Sequence, residues 1–161
     1  MPHVPAAIAF GSNLPSPAGD SRATVLAAIA TVGTFRETRL VAVSSLHETV
    51  PVGPAEQGNY INAAAKLDTS LSARALLACM LSVEQRFGRD RSREERWGPR
   101  TLDLDLILFG DALIDEPGLR IPHPRMHERA FVLVPLCEVW PDAVHPVLKK
   151  TVRALRGALP H

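Results

Sequence analysis

Two aspartates one residue apart, Asp103 and Asp105, are the residues of this chain best suited to chemistry. They sit in Leu102-Asp103-Leu104-Asp105-Leu106-Ile107-Leu108-Phe109, where apolar and acidic side chains alternate. Period two is the strand signature, so Leu102, Leu104, Leu106 and Leu108 are expected on one face and both carboxylates on the other. Residues two apart on one strand face are about 6.6 Å apart. Two bare carboxylates that close repel each other unless a cation stands between them. Hard divalent ions with oxygen ligands meet that need, Mg2+ above all, and they bind substrate phosphates at the same time. A strand whose solvent face happens to carry two acids gives the same local pattern.

The residues upstream bear on that choice. Arg86, Arg89, Arg91, Arg93, Arg96 and Arg100 precede the strand, and Trp97-Gly98-Pro99 forms a turn between the last two. Guanidinium groups pair bidentately with phosphate oxygens, so an arginine-rich segment beside a carboxylate pair suits a polyphosphate–metal complex. Asp90, Glu94 and Glu95 dilute the run, as they would on an ordinary solvated face. A charged loop is predicted over 89–95, of the kind that closes over phosphates and excludes water.

The elements that must position these groups are read in chain order. Ala6 to Phe10 is a short apolar strand that stops at Gly11-Ser12-Asn13, where glycine would let the backbone approach a ligand. The chain has no G-x-x-x-x-G-K-[ST] motif, so phosphates would be held by side chains and metal ions. Val25, Leu26, Ile29 and Val32 recur at helical spacing, predicting a helix over 20–32 with Gly33 as its stop. Arg39 to Ser45 reads as a strand, and His47 to Gly58, with Pro51, Gly53 and Pro54, as a loop. In the next strand Ile61, Ala63, Ala65 and Leu67 share one face and Tyr60 and Asn62 the other. An amide beside an aromatic ring suits a planar heterocycle with a mixed donor and acceptor edge. A solvated strand face fits that pattern equally well.

Ser72 is a plausible N-cap for a helix running to Phe87, with Gly88 just past its end. Glu84 lies near that end, where the helix dipole disfavours an acid, so it is expected to hold a nearby arginine or a nucleotide group. Short strands are predicted at Leu113-Ile114 and Leu119 to Ile121. His123 follows between Pro122 and Pro124, in stiff extended backbone. A short helix carries Glu128, Arg129 and Phe131, and Val132 to Trp140, broken by Pro135, is a second helical piece. Val147 to Leu159 reads as a basic amphipathic surface helix. The alternation of strands and helices predicts an α+β fold, a mostly antiparallel sheet with helices packed on its faces.

Taken together, several segments resemble a known family. Arg96-Trp97-Gly98-Pro99-Arg100-Thr101-Leu102-Asp103-Leu104-Asp105 is similar to the signature of the 6-hydroxymethyl-7,8-dihydropterin pyrophosphokinases of folate biosynthesis. Gly11-Ser12-Asn13-Leu14, Gly53-Pro54, Tyr60-Ile61-Asn62-Ala63-Ala64 and Pro122-His123-Pro124-Arg125-Met126 fall in the family's order, and the likeness spans residues 6 to 140. The resemblance implies a ferredoxin-like fold and transfer of the β,γ-diphosphate of ATP to the hydroxymethyl oxygen of the reduced pterin, with AMP released. It implies two Mg2+ ions on Asp103 and Asp105. It gives catalytic roles to Arg89, Arg100, Asp103 and Asp105. ATP would be bound by Glu84, Arg91, Arg96, Trp97, Arg100, Leu106, His123 and Arg129. The pterin would be bound by Thr49, Val52, Tyr60, Asn62, Asp103 and Phe131, with Phe131 stacking on the ring. Between Gly88 and Arg96 the chain carries one residue more than some relatives, so Ser92 and Arg93 receive no role.

Composition narrows the alternatives. A chain of 161 residues with a net charge of +1 is expected to form one domain with a substantial core, and to act as a monomer. A pI near 7.9 argues against a general nucleic-acid or membrane-surface binder. Cys79 and Cys137 lie in apolar surroundings and read as buried thiols. No stretch reaches the length of a membrane span, and a cytoplasmic protein is expected. Two rival readings use the same residues. A metal-dependent hydrolase or nucleotidyltransferase would use the Asp103/Asp105 pair on another acceptor. An RNA-binding module would need exposed aromatics on a sheet face, and only Tyr60 qualifies.

Overall fold

The computed structural model describes residues 2–50, 58–89 and 101–160. Strand β1 (Val4–Ser12) leads into helix α1 (Ser21–Val32), followed by β2 (Thr38–Val43), β3 (His47–Thr49) and β4 (Tyr60–Thr69). Helix α2 (Ala73–Arg86) then precedes β5 (Asp103–Phe109). The two short strands β6 (Ile114–Glu116) and β7 (Leu119–Ile121) come next, then a 3-10 turn at Met126–Glu128 and helices α3 (Ala130–Val139) and α4 (Val152–Gly157).

The main sheet has the order β2-β4-β1-β5, and β3 also pairs with β4. Its ladders are antiparallel. A β-α-β-β-α-β chain with this strand order is a ferredoxin-like fold, here with β3 inserted and a C-terminal extension. β6 and β7 form a separate hairpin.

Helices cover both faces. On one, Ala6, Ile8, Phe10, Ile61, Ala63, Ala65, Leu67, Leu104 and Leu106 meet Val25, Ile29, Leu76, Met80 and Val83 of α1 and α2. On the other, Ala7, Ala9 and Ala64 meet Val132, Leu133 and Leu136 of α3 and Val152 and Leu155 of α4. Alanine on that face lets the helices seat close to the sheet. The predicted Ser72 cap forms, accepting from Ala75 N at 3.1 Å, and Asp20 caps α1 by accepting from Ala23 N at 2.9 Å. Gly88, at φ +85°, takes the chain off the end of α2 in the left-handed conformation that favours glycine.

Five expectations change. Phe131 and the segment predicted as broken at Pro135 lie on one helix, α3, which runs through Pro135. Leu108 does not share a face with Leu104 and Leu106, because the β1–β5 register shifts: Ile8 pairs with Leu106 but Ala7 with Leu108. The extra residue, Ile107, is a bulge, so Ile107 and Leu108 both enter the α3-side core. His47–Thr49, within the predicted loop, is a strand because it finds a partner in β4. Val147 to Lys150 is not helical; Thr151 caps α4 by accepting from Ala154 N, and Lys149 has φ +60°. Cys79 and Cys137 are free thiols, but only partly buried.

Candidate active site

Register alone brings the candidate residues together. Gly11 pairs with Asp103 on one side and with Asn62 on the other, and Asn62 pairs in turn with His47. Asp103, Gly11, Asn62 and His47 therefore form one row across four strands, on the face that α3 covers. Strands are about 4.8 Å apart, so Asp103 and Asn62 flank a gap of about 10 Å whose floor is the Gly11 backbone. A Cβ at Gly11 would lie 3.5 Å from Asn62 Oδ1 and 3.6 Å from the Tyr60 ring. Any longer side chain there would fill the gap. One pairing further along, Tyr60 faces Thr49, and the buried Asn62 donates from Nδ2 to Thr49 Oγ1 at 2.6 Å. This bond fixes the amide, so Asn62 is no solvated surface residue.

Asp103 and Asp105 lie on the α3 side of β5, as the alternation requires. Arg89 Nη1 donates to Asp103 Oδ1 and to Glu84 Oε2, both at 2.8 Å. Glu84 Oε2 also accepts from Leu104 N at 2.8 Å. The side chains of Glu84 and Arg89 are 2% and 5% exposed, whereas that of Asp103 is 37% exposed. Glu84 thus takes the first of its two expected roles: it holds an arginine, and through it ties α2 to β5 beside the carboxylates. Arg89, predicted within a charged loop, is anchored at the end of α2.

Asp105 is in a different position. Burial pushes its carboxyl up to about 8, Asp103 and Glu84 push the same way, and Arg129 and Arg89 oppose them. Each of two neighbouring carboxyl groups raises the other's affinity for a proton, and a bound cation would favour the ionised form of both. Among the described residues no group of three or more His, Cys, Asp or Glu converges on a point. Two carboxylates on one strand face, without a third acidic or histidine ligand among the described residues, suit Mg2+, which keeps waters and takes substrate oxygens as its remaining ligands.

His123 is joined to β5 by its own backbone, its N–H donating to Ile107 O at 2.9 Å. Arg125 N donates to its Nδ1 at 3.2 Å, which leaves Nε2 to carry the proton of the neutral ring. Burial lowers its pKa to about 4, helped by Arg129 and Arg125 and opposed by Asp103. At neutral pH it is a neutral donor. Arg129 stands at the N-terminus of α3, its guanidinium 5.5 Å from the centroid of the Phe131 ring. Phe131 is 38% exposed, so it is not a core aromatic.

Leu106 differs from the other candidates. Its side chain is buried in the core against α1 and α2, on the opposite face from Asp103 and Asp105. Any contact with ATP falls to its backbone on the edge strand. Val52, Arg91, Arg96, Trp97 and Arg100 lie outside the described residues. The sequence predicts that Gly11 lets the backbone approach a ligand and that His47 opens a loop; that Gly11 lies between Asp103 and Asn62, and that His47 pairs with Asn62, shows only from which strands pair.

Paired carboxylates, a buried arginine and a neutral histidine beside one row of a ferredoxin-like sheet are the groups that phosphoryl-transfer chemistry uses. Residues 7–141 match the model of the 7,8-dihydro-6-hydroxymethylpterin-pyrophosphokinase (HPPK) family. The 2-amino-4-hydroxy-6-hydroxymethyldihydropteridine pyrophosphokinase of Pseudomonas aeruginosa is 47% identical over 135 residues, 84% of this chain and 80% of its own. The enzyme of the same name from Haemophilus influenzae is 43% identical over 89% of this chain and 86% of its own. The HPPK-DHPS of Plasmodium falciparum superposes with a TM-score of 0.73 at 14% identity, over 96% of this chain but 43% of that longer one, and so shares the fold. The chain belongs to the 7,8-dihydro-6-hydroxymethylpterin-pyrophosphokinase family.

Proposed function

We propose that this chain transfers the β,γ-diphosphate of ATP to the hydroxymethyl oxygen of 6-hydroxymethyl-7,8-dihydropterin, releasing AMP, in folate biosynthesis. The observation that carries this reading is the row Asp103–Gly11–Asn62, which sets a fixed amide and a carboxylate on either side of a residue without a side chain. Asn62 and Thr49 meet the polar edge of the pterin, Tyr60 and Phe131 its faces, and Asp103 the end that carries the hydroxymethyl group. Val52 belongs to the same pocket by resemblance.

The primary alcohol oxygen attacks the β-phosphorus. The bond from that phosphorus to the oxygen bridging it to the α-phosphorus breaks, and AMP leaves with the electron pair. Asp103, the more exposed carboxylate, orients the hydroxyl and accepts its proton. Such a reaction needs in-line positioning and charge neutralisation more than covalent help from the protein. Asp103 and Asp105 would hold two Mg2+ ions. When bound, these neutralise the triphosphate and polarise its phosphoryl oxygens.

The remaining groups act on the phosphates and the nucleotide. Arg89, held by Glu84, keeps a positive charge beside the reacting end. His123 donates from Nε2 and Arg129 supplies a guanidinium at the N-terminus of α3, whose dipole also favours anions. Arg91, Arg96, Trp97 and Arg100 complete the nucleotide site, with the backbone of Leu106.

Product analysis with ATP, Mg2+ and the dihydropterin tests this reading. AMP and pterin diphosphate should form in equal amounts, and AMP should be absent without pterin. ADP as product, or AMP released regardless of pterin, would sink it and favour a nucleotidyltransferase or hydrolase.

A further inference from the structure

A second polar cluster lies outside the reaction centre. Glu138, in the last turn of α3, accepts through Oε1 from Ser45 Oγ at 2.7 Å and from Ser45 N at 3.3 Å. Its Oε2 is 2.5 Å from His47 Nε2, and Ser45 Oγ is 3.3 Å from the same nitrogen. Ser45 lies between β2 and β3 and His47 opens β3, so one carboxylate fastens both to α3.

β3 has reason to need fastening. It is three residues long and, among the described residues, pairs only with β4, and so has few backbone bonds to hold it. It nevertheless carries Thr49, whose hydroxyl accepts from the Asn62 amide. α3, by contrast, is seated by Val132, Leu133 and Leu136 in the core. It is the rigid partner of the pair. The helix begins beside Arg129, whose charge acts on Asp105, packs over Ala7, Ala9 and Ala64, and ends with Glu138 at His47.

We propose that Glu138 is a positioning residue for the acceptor pocket: through Ser45 and His47 it holds β3 on the sheet, and with it Thr49 and the Asn62 amide. This rests on the pterin reading given above. The side chains of His47 and Glu138 are 30% and 38% exposed. Partly solvated pairs of this kind add little to global stability. Their effect is instead on the fraction of molecules in which β3 is docked, and apparent affinity for the acceptor falls in proportion to that fraction.

The test compares wild type, Glu138→Ala and Glu138→Gln in steady-state AMP formation, varying pterin and ATP separately. Glu138→Ala should raise KM for the pterin about fivefold, with kcat and KM for ATP within about twofold of wild type. Glu138→Gln should restore the pterin KM, since the amide can accept from Ser45 and donate to the His47 ring nitrogen. An unchanged pterin KM, or KM values for both substrates rising together, would overturn the proposal. Amide exchange in the substrate-free protein gives an independent readout. Protection over residues 45–49 should fall in Glu138→Ala while that of α3 holds, and unchanged protection would overturn the brace. A wild type with no pterin-dependent AMP would count against the functional reading, and the exchange result would still decide the brace.

Discussion

Asp105 and His123 show how position sets the chemistry of a side chain. Burial and acidic neighbours push the Asp105 carboxyl up to about 8 against the pull of two arginines. Replacing it with Asn keeps the shape and removes the anionic oxygen that a divalent ion would draw upon. Asp105→Asn should lower kcat about 100-fold or more while leaving the melting temperature near that of wild type. A kcat within threefold or so of wild type would remove Asp105 from the metal site.

His123 makes a prediction of opposite kind. Its folded pKa is lowered from 6.5 to about 4, so in the ligand-free protein the unfolded chain takes up a proton that the folded chain refuses. Stability is therefore greatest above 6.5 and is lost as pH falls from 6.5 towards 4. Across that window the loss through this residue is about 3 kcal/mol. Denaturant melts should show His123→Asn losing less stability than wild type between the two pH values. Parallel decline of both proteins would place the acid sensitivity elsewhere.

Among the elements, the junction of α2 with β5 has the most to lose. Glu84 accepts from Leu104 N and from Arg89, and Arg89 in turn reaches Asp103. Truncation leaves a buried N–H without its acceptor and a buried guanidinium with less compensation. Glu84→Ala should destabilise the protein by about 3 kcal/mol, and lower kcat as well because Arg89 and Asp103 are no longer fixed. Thermal or urea denaturation, read beside kcat, checks both. A loss of kcat with no loss of stability would mean that Glu84 acts on substrate instead. The β5 bulge is the other device at this scale. It turns Ile107 and Leu108 together into the α3-side core while Asp103 and Asp105 stay on the open part of the same face.

For the whole molecule, the site is a product of assembly: β1, β3, β4, β5, α2 and α3 each contribute to it. Ligands that span so many elements favour the folded state strongly. MgATP at about a hundredfold over its dissociation constant should add about 2.7 kcal/mol to stability, seen as a rise in melting temperature. EDTA should abolish most of that rise together with AMP formation. A rise unaffected by EDTA would show that nucleotide binding does not depend on the ion. Among the described residues no helix is long and apolar enough to cross a membrane.

What could be read from the chain alone was whatever depends on near neighbours. The alternation from Leu102 to Asp105, the faces of β4, the Ser72 cap of α2 and the aspartate pair are local patterns, because strand and helix periods act over a few residues. The arginine-rich motif was legible for the same reason. The rest depended on partners far away in sequence. His47–Thr49 has no recognisable period and becomes a strand only because β4 lies beside it. Leu108 changes face because β1 fixes the register, and Val147 to Lys150 stays out of α4 because Thr151 caps it. Glu84 chose arginine when the fold delivered Arg89 and Leu104 to it, and Gly11 became the floor of a pocket when Asp103 and Asn62 were placed on either side. Local chemistry named the reactive groups; strand pairing decided what each one faces.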